Sequence, residues 1–425
     1  MTTATPKFVC HGCGTIVDIA QQLPFACPQA SGSDDVDHLL VPEDSEQYAS
    51  GSELDPFMRY RALLSPYRLA RGVGLSEDAW AEFAGRLDEA LAEVDGRGFR
   101  LTPMTQERDL ARAAGLGEGF WVKDETINVA GSHKARHLMG VMLYLRVLAA
   151  ARLPASEGLS RRRLAIASCG NAALAAAVVA RAADWPIDVF IPPDAPACVV
   201  QRLKDLGAAI DICRRYGGER GDPCVRAFRH AVQNGAIPFG VQGPDNGLAI
   251  EGARTLAFEM VDTWRAAGVF PVAVYVQVGG GALASAIAQG LSIAVAQVRP
   301  RVMAVQTAGC APLARAWQKL SGVAMLDAAR HRTRFMWPWE ETPISIAHGI
   351  LDDETYDWWE VAKGMRETEG DAIVVHENTL ARAHALAHVH TKIDVSATGS
   401  AGLAGLLSAR SENGNVAVIF SRAER

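Results

Sequence analysis

The chain has 425 residues and a mass of 45.4 kDa. That suits two domains, or one large α/β enzyme with an appendage. A hydrophobic fraction of 49% and a charged fraction of 21% are those of a folded globular protein and exclude disorder as the main state. The balance of 42 basic against 48 acidic residues gives a net charge of −6, so no nucleic-acid partner is expected. No run approaches the roughly 18 uninterrupted apolar residues of a membrane span, so no membrane partner is expected either.

Residues 1–40 read as a small module of their own. Cys10-x-x-Cys13-Gly14 and Cys27-Pro28 place three of the eight cysteines in the first 27 residues, and a polar, acidic run from Ser33 to Asp37 ends at His38. Such crowding points to a metal in a reducing compartment rather than to a disulfide scaffold. The stretch MTTATPKFVC has no charged region followed by an apolar one, so no secretory signal is expected and a cytoplasmic location is. Residues 41–120 are mostly helical by pattern, with Ser76 as the N-cap of a helix reaching Val94.

From about residue 120 strands and helices alternate. Strands are predicted at 164–167, 187–191, 209–213, 273–278, 302–306 and 416–420. Helices are predicted at 171–183, 197–206, 248–267 and 282–296. The alternation predicts an α/β fold of parallel sheets with helices on both faces. The segment from Asp327 to Asp371 is rich in Trp and acidic residues and has no clear period.

Four segments carry chemistry. Gly131-Ser132-His133-Lys134-Ala135-Arg136 puts a lysine after a small-residue turn and before an apolar helix, where a desolvated amine is a nucleophile for a carbonyl. Ser168-Cys169-Gly170-Asn171 joins a strand to a helix and lets a planar ligand approach closely. Gly279-Gly280-Gly281-Ala282-Leu283 follows a buried strand and opens a helix, which makes a phosphate site from backbone N–H groups. Thr398 and Ser400 stand among small residues before the last apolar helix. The glycine run also fits a loose dinucleotide pattern. That fingerprint wants an acid about 20 residues on, and no Asp or Glu occurs between Asp262 and Asp327.

Taken in order, these segments resemble the fold type II pyridoxal phosphate enzymes, which include threonine synthases, serine and threonine dehydratases, cysteine synthases and the tryptophan synthase β chain. Leu101-Thr102-Pro103-Met104, Lys123-x-Glu125 and Glu251-Gly252-Ala253-Arg254-Thr255 add to the likeness, the last being closest in pattern to threonine synthases. The resemblance covers about residues 100–420. It implies two open-sheet α/β domains with pyridoxal phosphate in the cleft between them. The large domain would comprise 41–136 and 246–425, and the smaller inserted domain 137–245. It implies Lys134 as the Schiff-base lysine and proton carrier, and Asn171 at the cofactor's 3′-oxygen. Gly279, Gly280, Gly281, Ala282 and Leu283 would hold the phosphate, and Thr398 or Ser400 would face the pyridine nitrogen. Ser168, Cys169, Gly170 and Asn171 would receive the substrate carboxylate, with His133, Arg136 and Asn246 as further substrate contacts. The expected partner is a small amino acid undergoing elimination or replacement at Cβ or Cγ, and the expected assembly is a homodimer.

Three departures from threonine synthases bear on the substrate. His133 and Ala135 replace Phe and Asp around the lysine, Ala172 and Ala173 replace hydroxyl residues after Asn171, and no arginine follows Asn246. The phosphate of O-phosphohomoserine therefore lacks its usual donors, and a non-phosphorylated substrate is expected over that of a true threonine synthase. The rivals of another class are a dinucleotide-dependent oxidoreductase and a non-catalytic metabolite-binding protein. In the first module Cys10, Cys13 and Cys27 resemble part of a zinc ribbon. With Gln29 and Ala30 where a fourth cysteine would stand, His38 completes a Cys₃His zinc set, a zinc-knuckle-like module.

Overall fold

The strands Phe120–Asp124, Ala273–Gln277 and Val416–Phe420 are buried along their whole length, as parallel strands covered on both faces must be. They lie at the centre of a six-stranded sheet. Its order is Asp371–Val375, Arg301–Thr307, Ala273–Gln277, Val416–Phe420, Phe120–Asp124 and Met104–Gln106. All neighbours are parallel except the last, a short antiparallel edge. A second, wholly parallel sheet of four strands has the order Ala209–Ile212, Ile187–Ile191, Leu164–Ala167 and Ile237–Pro238. Its strands lie in sequence between Phe120–Asp124 and Ala273–Gln277. The computed structural model describes residues 5–43, 47–216, 221–409 and 414–424. Among them no single helix is long and apolar enough to cross a membrane.

The helix expected at Ser76 runs over Glu77–Asp95. The Ser76 side chain accepts the Ala79 N–H, and Gly96 ends the helix in the left-handed conformation. The helix expected from Leu248 begins at Glu251 instead. The Asn246 side chain accepts the Leu248 N–H and holds the chain in a turn first. Helices Pro223–Gln233 and Glu377–His390 were not read from the sequence. The first had a legible start, since Asp222 caps it and Pro223 stands at its first position.

The N-terminal residues form a three-stranded antiparallel sheet, Ile16–Asp18, Lys7–Cys10 and Leu40–Pro42; residues 1–4 of this module lie outside the described ones. It is docked on both sides of the protein. Tyr144, on the helix Lys134–Ala151, donates to the Ile19 carbonyl at 2.8 Å. The Gly247 N–H reaches the Pro24 carbonyl at 3.1 Å. The His11 ring stacks on Trp359 at 3.9 Å, with Asp37 and Glu360 at its two nitrogens.

Behind the first turn of the helix Lys134–Ala151 lies a buried charge network. Arg136 binds Glu125 through two nitrogens at 2.8 and 2.9 Å, and it also reaches Glu259 and the Thr255 hydroxyl. Lys123 donates to Glu259 and to the Thr102 carbonyl, while the Thr102 N–H reaches Glu259 at 3.0 Å. Lys123, Glu125 and Arg136 are 0% exposed, so each charge depends on its partners for solvation. Burial alone would raise the Glu125 pKa, but the Arg136 and Lys123 charges outweigh it and hold the group ionised. Arg136→Met should strip Glu125 of its cation, leave Glu259 with Lys123 alone, and cost roughly 3–5 kcal/mol of stability, read from the urea unfolding midpoint. A loss under about 1 kcal/mol would mean the network is dispensable.

Candidate functional site

The turn before Lys134 is built by backbone strain and capping. Asn128 caps the turn by accepting the Val129 N–H, and its amide donates to Glu125. Ala130 then adopts a left-handed conformation (φ 54°), and its N–H is held by Asp95 at 2.8 Å. A non-glycine residue in that region costs of order 1 kcal/mol or more, so it persists only where its surroundings fix it. Ser132 and His133 follow, and Lys134 opens the helix.

Lys134 is half-buried by exposure, yet its ammonium is enclosed enough that burial lowers its pKa below 10.5 against the opposing pull of Asp352 and Asp357. His133 and His137 flank it on the same helix face. Burial holds both imidazoles well below their ordinary pKa, and the Lys134 charge adds to this, so both are neutral. With Nδ1 of His133 assigned as donor to the Ser421 carbonyl (3.1 Å), its Nε2 is a buried acceptor that meets no donor among the described residues. The Ser132 hydroxyl is likewise buried with no partner among the described residues.

Opposite stands the glycine loop. Gly281 has φ 96° and opens the helix Ala282–Ala294, so the N–H groups of the first turn have no intrahelical acceptor. The sequence did not reveal what faces this loop. Asp352 accepts the Gly280 N–H at 2.8 Å, and a Cβ on Gly279 would lie 2.3 Å from its carboxylate oxygen. Burial raises the Asp352 pKa, and Lys134 partly offsets this. Asp357 ties the loop to Gly243. Its N–H donates to the Gly280 carbonyl at 2.9 Å while its carboxylate accepts the Gly243 N–H at 3.1 Å. The run Asp352-Asp353-Glu354 was legible as acidic, but no spacing connects it to Gly280.

The remaining predicted residues divide into two groups. Ser168, Cys169, Gly170 and Asn171 are all half-buried at the start of the helix Asn171–Ala182, in contrast to the buried strand before them. Thr398 accepts the Gly349 N–H at 3.0 Å, which leaves its own proton to give. The Ser400 proton is committed to the Ser396 carbonyl at 3.1 Å. Arg136 and Asn246 differ from the expectation of substrate contacts. Arg136 is held in the charge network, and Asn246, 0% exposed, bonds to the Pro238 carbonyl and the Leu248 N–H. Both are positioning residues here. Trp358 and Trp359 pack against Phe335 and His11.

A lysine amine with a lowered pKa, a helix start with unpaired N–H groups and two buried polar atoms beside the lysine suit an aldehyde-bearing phosphate ester. A profile of the family described as pyridoxal-phosphate dependent enzyme matches residues 97–421. The chain belongs to the pyridoxal-phosphate dependent enzyme family. It is similar to the mouse "Serine dehydratase-like" protein, at 30% identity over 228 residues, covering 52% of this chain and 62% of that protein. It is also similar to an L-serine dehydratase of Saccharomyces cerevisiae, at 30% over 214 residues, 48% of this chain and 61% of that one. The matches thus span less than two thirds of these relatives. Among solved structures, maize serine racemase superposes with a TM-score of 0.60 at 20% identity, over 80% of this chain and 93% of that one. Diaminopropionate ammonia lyase from Escherichia coli superposes at 0.59 and 19%, over 90% and 93%. These likenesses show the fold.

The Asp352 contact sets a test on the cofactor's phosphate. One unit charge about 4 Å from another is worth roughly 1–4 kcal/mol at effective dielectrics of 80 to 20. Asp352→Asn should therefore tighten binding of pyridoxal phosphate to the cofactor-stripped protein by about tenfold or more relative to its effect on unphosphorylated pyridoxal, both read by absorbance titration. Weaker phosphate-ester binding by the variant would mean that the carboxylate helps to hold the cofactor.

Proposed function

We propose that this protein is a pyridoxal phosphate-dependent lyase that removes a substituent from Cβ or Cγ of a small amino acid bearing no phosphate. One juxtaposition carries the reading: the Lys134 amine and the Gly280 N–H face the same carboxylate, that of Asp352. When bound, the cofactor supplies an electron sink that makes an amino acid's Cα proton acidic. Lys134 would hold its aldehyde and later move a proton between Cα and the departing group, a task that needs its amine neutral for part of the cycle. The N–H groups of Gly281, Ala282 and Leu283 would hold the phosphate, joined by Gly279 and by Gly280 once Asp352 releases it. Asn171 would face the 3′-oxygen, and Ser168, Cys169 and Gly170 would line the place of the substrate carboxylate. Thr398 rather than Ser400 would donate to the pyridine nitrogen, because only Thr398 has an uncommitted proton. A hydroxyl partner leaves that nitrogen unprotonated, which suits elimination and replacement better than transamination.

True threonine synthase chemistry is disfavoured by the residues at the positions where threonine synthases carry their phosphate donors. Ala172, Ala173 and Ala249 offer no donor to a second phosphate, and Arg136 and Asn246 are committed elsewhere. Each missing charge-assisted bond is worth roughly 1.5–3 kcal/mol. The dehydratase names of its relatives support hydroxyl-bearing substrates first. Supplied with serine, threonine or 2,3-diaminopropionate, the holoenzyme should form a keto acid from at least one. With O-phosphohomoserine it should release neither phosphate nor threonine. Turnover of O-phosphohomoserine at ordinary enzyme rates would make this a threonine synthase.

We further infer a structural zinc ion in the N-terminal module and a homodimeric holoenzyme. The ligating atoms of Cys10, Cys13, Cys27 and His38 lie within 4.8 Å of one another, with Cys10 Sγ 3.5 Å from His38 Nδ1. Four protein ligands leave no open position, which fits a structural metal rather than a catalytic one.

A further inference from the structure

The C-terminal residues Ser421–Glu424 form a strap between the two loops that bracket the proposed cofactor site. On one side the His133 N–H reaches the Ser421 carbonyl at 3.2 Å, Arg422 bridges to Ser132, and the Ala423 N–H reaches the Gly131 carbonyl at 2.9 Å. On the other, the Ser396 N–H reaches the Arg422 carbonyl at 3.2 Å and Ala423 bridges to Val395. The Glu424 N–H reaches the Asp394 carbonyl at 3.1 Å. The strap thus fixes both the turn before Lys134 and the loop that carries Thr398.

At its end the strap meets a pair of imidazoles. His384 and His388 are one turn apart on the helix Glu377–His390, so they share a face. Their rings are perpendicular with centroids 4.5 Å apart. His384 Nε2 lies 3.2 Å from the Glu424 carboxylate and 3.1 Å from the Val395 carbonyl. One ligating atom from each of the three residues falls within 4.8 Å of the others, and all three are open to solvent to some degree. Metal bonds of about 2.0–2.1 Å in a tetrahedral shell put neighbouring ligand atoms roughly 3.3 Å apart. The His384–Glu424 spacing already matches that figure.

We propose that His384, His388 and Glu424 form a site for a borderline divalent transition metal of the Zn²⁺ type, and that the metal locks the strap. Two imidazoles and a carboxylate are the donor set such ions take, with solvent in the fourth position. Binding would need the His384 ring proton on Nδ1, freeing the Nε2 lone pair for the metal; the Nε2 hydrogen bonds to Glu424 and to the Val395 carbonyl would both be lost, replaced by metal bonds from His384, His388 and Glu424. Because Glu424 ends the strap, the metal would stiffen the backbone beside Lys134 and Thr398 without touching either. This site does not depend on the proposed reaction.

The test is metal uptake by the full-length holoenzyme in equilibrium dialysis against Zn²⁺, and separately Co²⁺, for wild type, His388→Ala and Glu424→Gln. Wild type should hold one equivalent more than either variant, whatever the N-terminal cysteines hold. In the cobalt form that extra equivalent should add visible bands but no thiolate charge-transfer band. Amide hydrogen exchange at Ala423 and Glu424 should slow by about tenfold on adding metal to wild type and not in the variants. Equal metal content in all three proteins, or exchange at the strap that ignores the metal, would overturn the proposal.

Discussion

Two cations and two carboxylates, sealed from water behind the first turn of one helix, determine where Lys134 stands. Ionised groups in a dry interior are tolerable only when paired and fully hydrogen-bonded. Arg136 satisfies that condition by reaching Glu125 and Glu259 at once, and Lys123 completes the balance. The four side chains come from a central strand, the loop after it, the helix of Lys134 and the long helix Glu251–Ala267. No one of these elements can shift without unpairing a buried charge. The helix start, and the lysine two residues before Arg136, inherit that rigidity.

Around this lysine the rest of the site is held by three further supports. The glycine loop presents a helix N-terminus, and Asp352 and Asp357 lie against it from a segment with little regular structure. The C-terminal strap links the turn before Lys134 to the loop of Thr398. The N-terminal module presses through Tyr144 on the lysine helix and through His11 on the helix Trp358–Glu367, which begins next to Asp357. All three meet segments that bracket the proposed cofactor site, so the buried network is not alone in setting its shape.

Much of this was legible in the sequence because it depends on local pattern. The strand 164–167 and the strand 416–420 have the expected bounds, since continuous apolar runs between turn residues leave little choice. The lysine turn, the glycine loop and the Cys–His cluster were legible because their chemistry needs particular residues at short spacing. What escaped reading depends on distant pairing. Arg136 looked like a free cation near the lysine, and nothing in its neighbourhood announces Glu259. Asp352 belonged to an unpatterned acidic stretch, and only the fold brings it to Gly280. Ser421–Glu424 are ordinary residues whose importance lies in what the chain wraps around them.

Lys134, set by the buried network and opposed by the glycine loop, is proposed to be the residue that captures the cofactor. Reduction of the holoenzyme with borohydride, followed by digestion and mass spectrometry, tests it directly. A single pyridoxyl-phosphate adduct is expected on the peptide containing Lys134, and none on the one containing Lys123. An adduct on another lysine, or no reducible adduct in protein that has bound the cofactor, would contradict it.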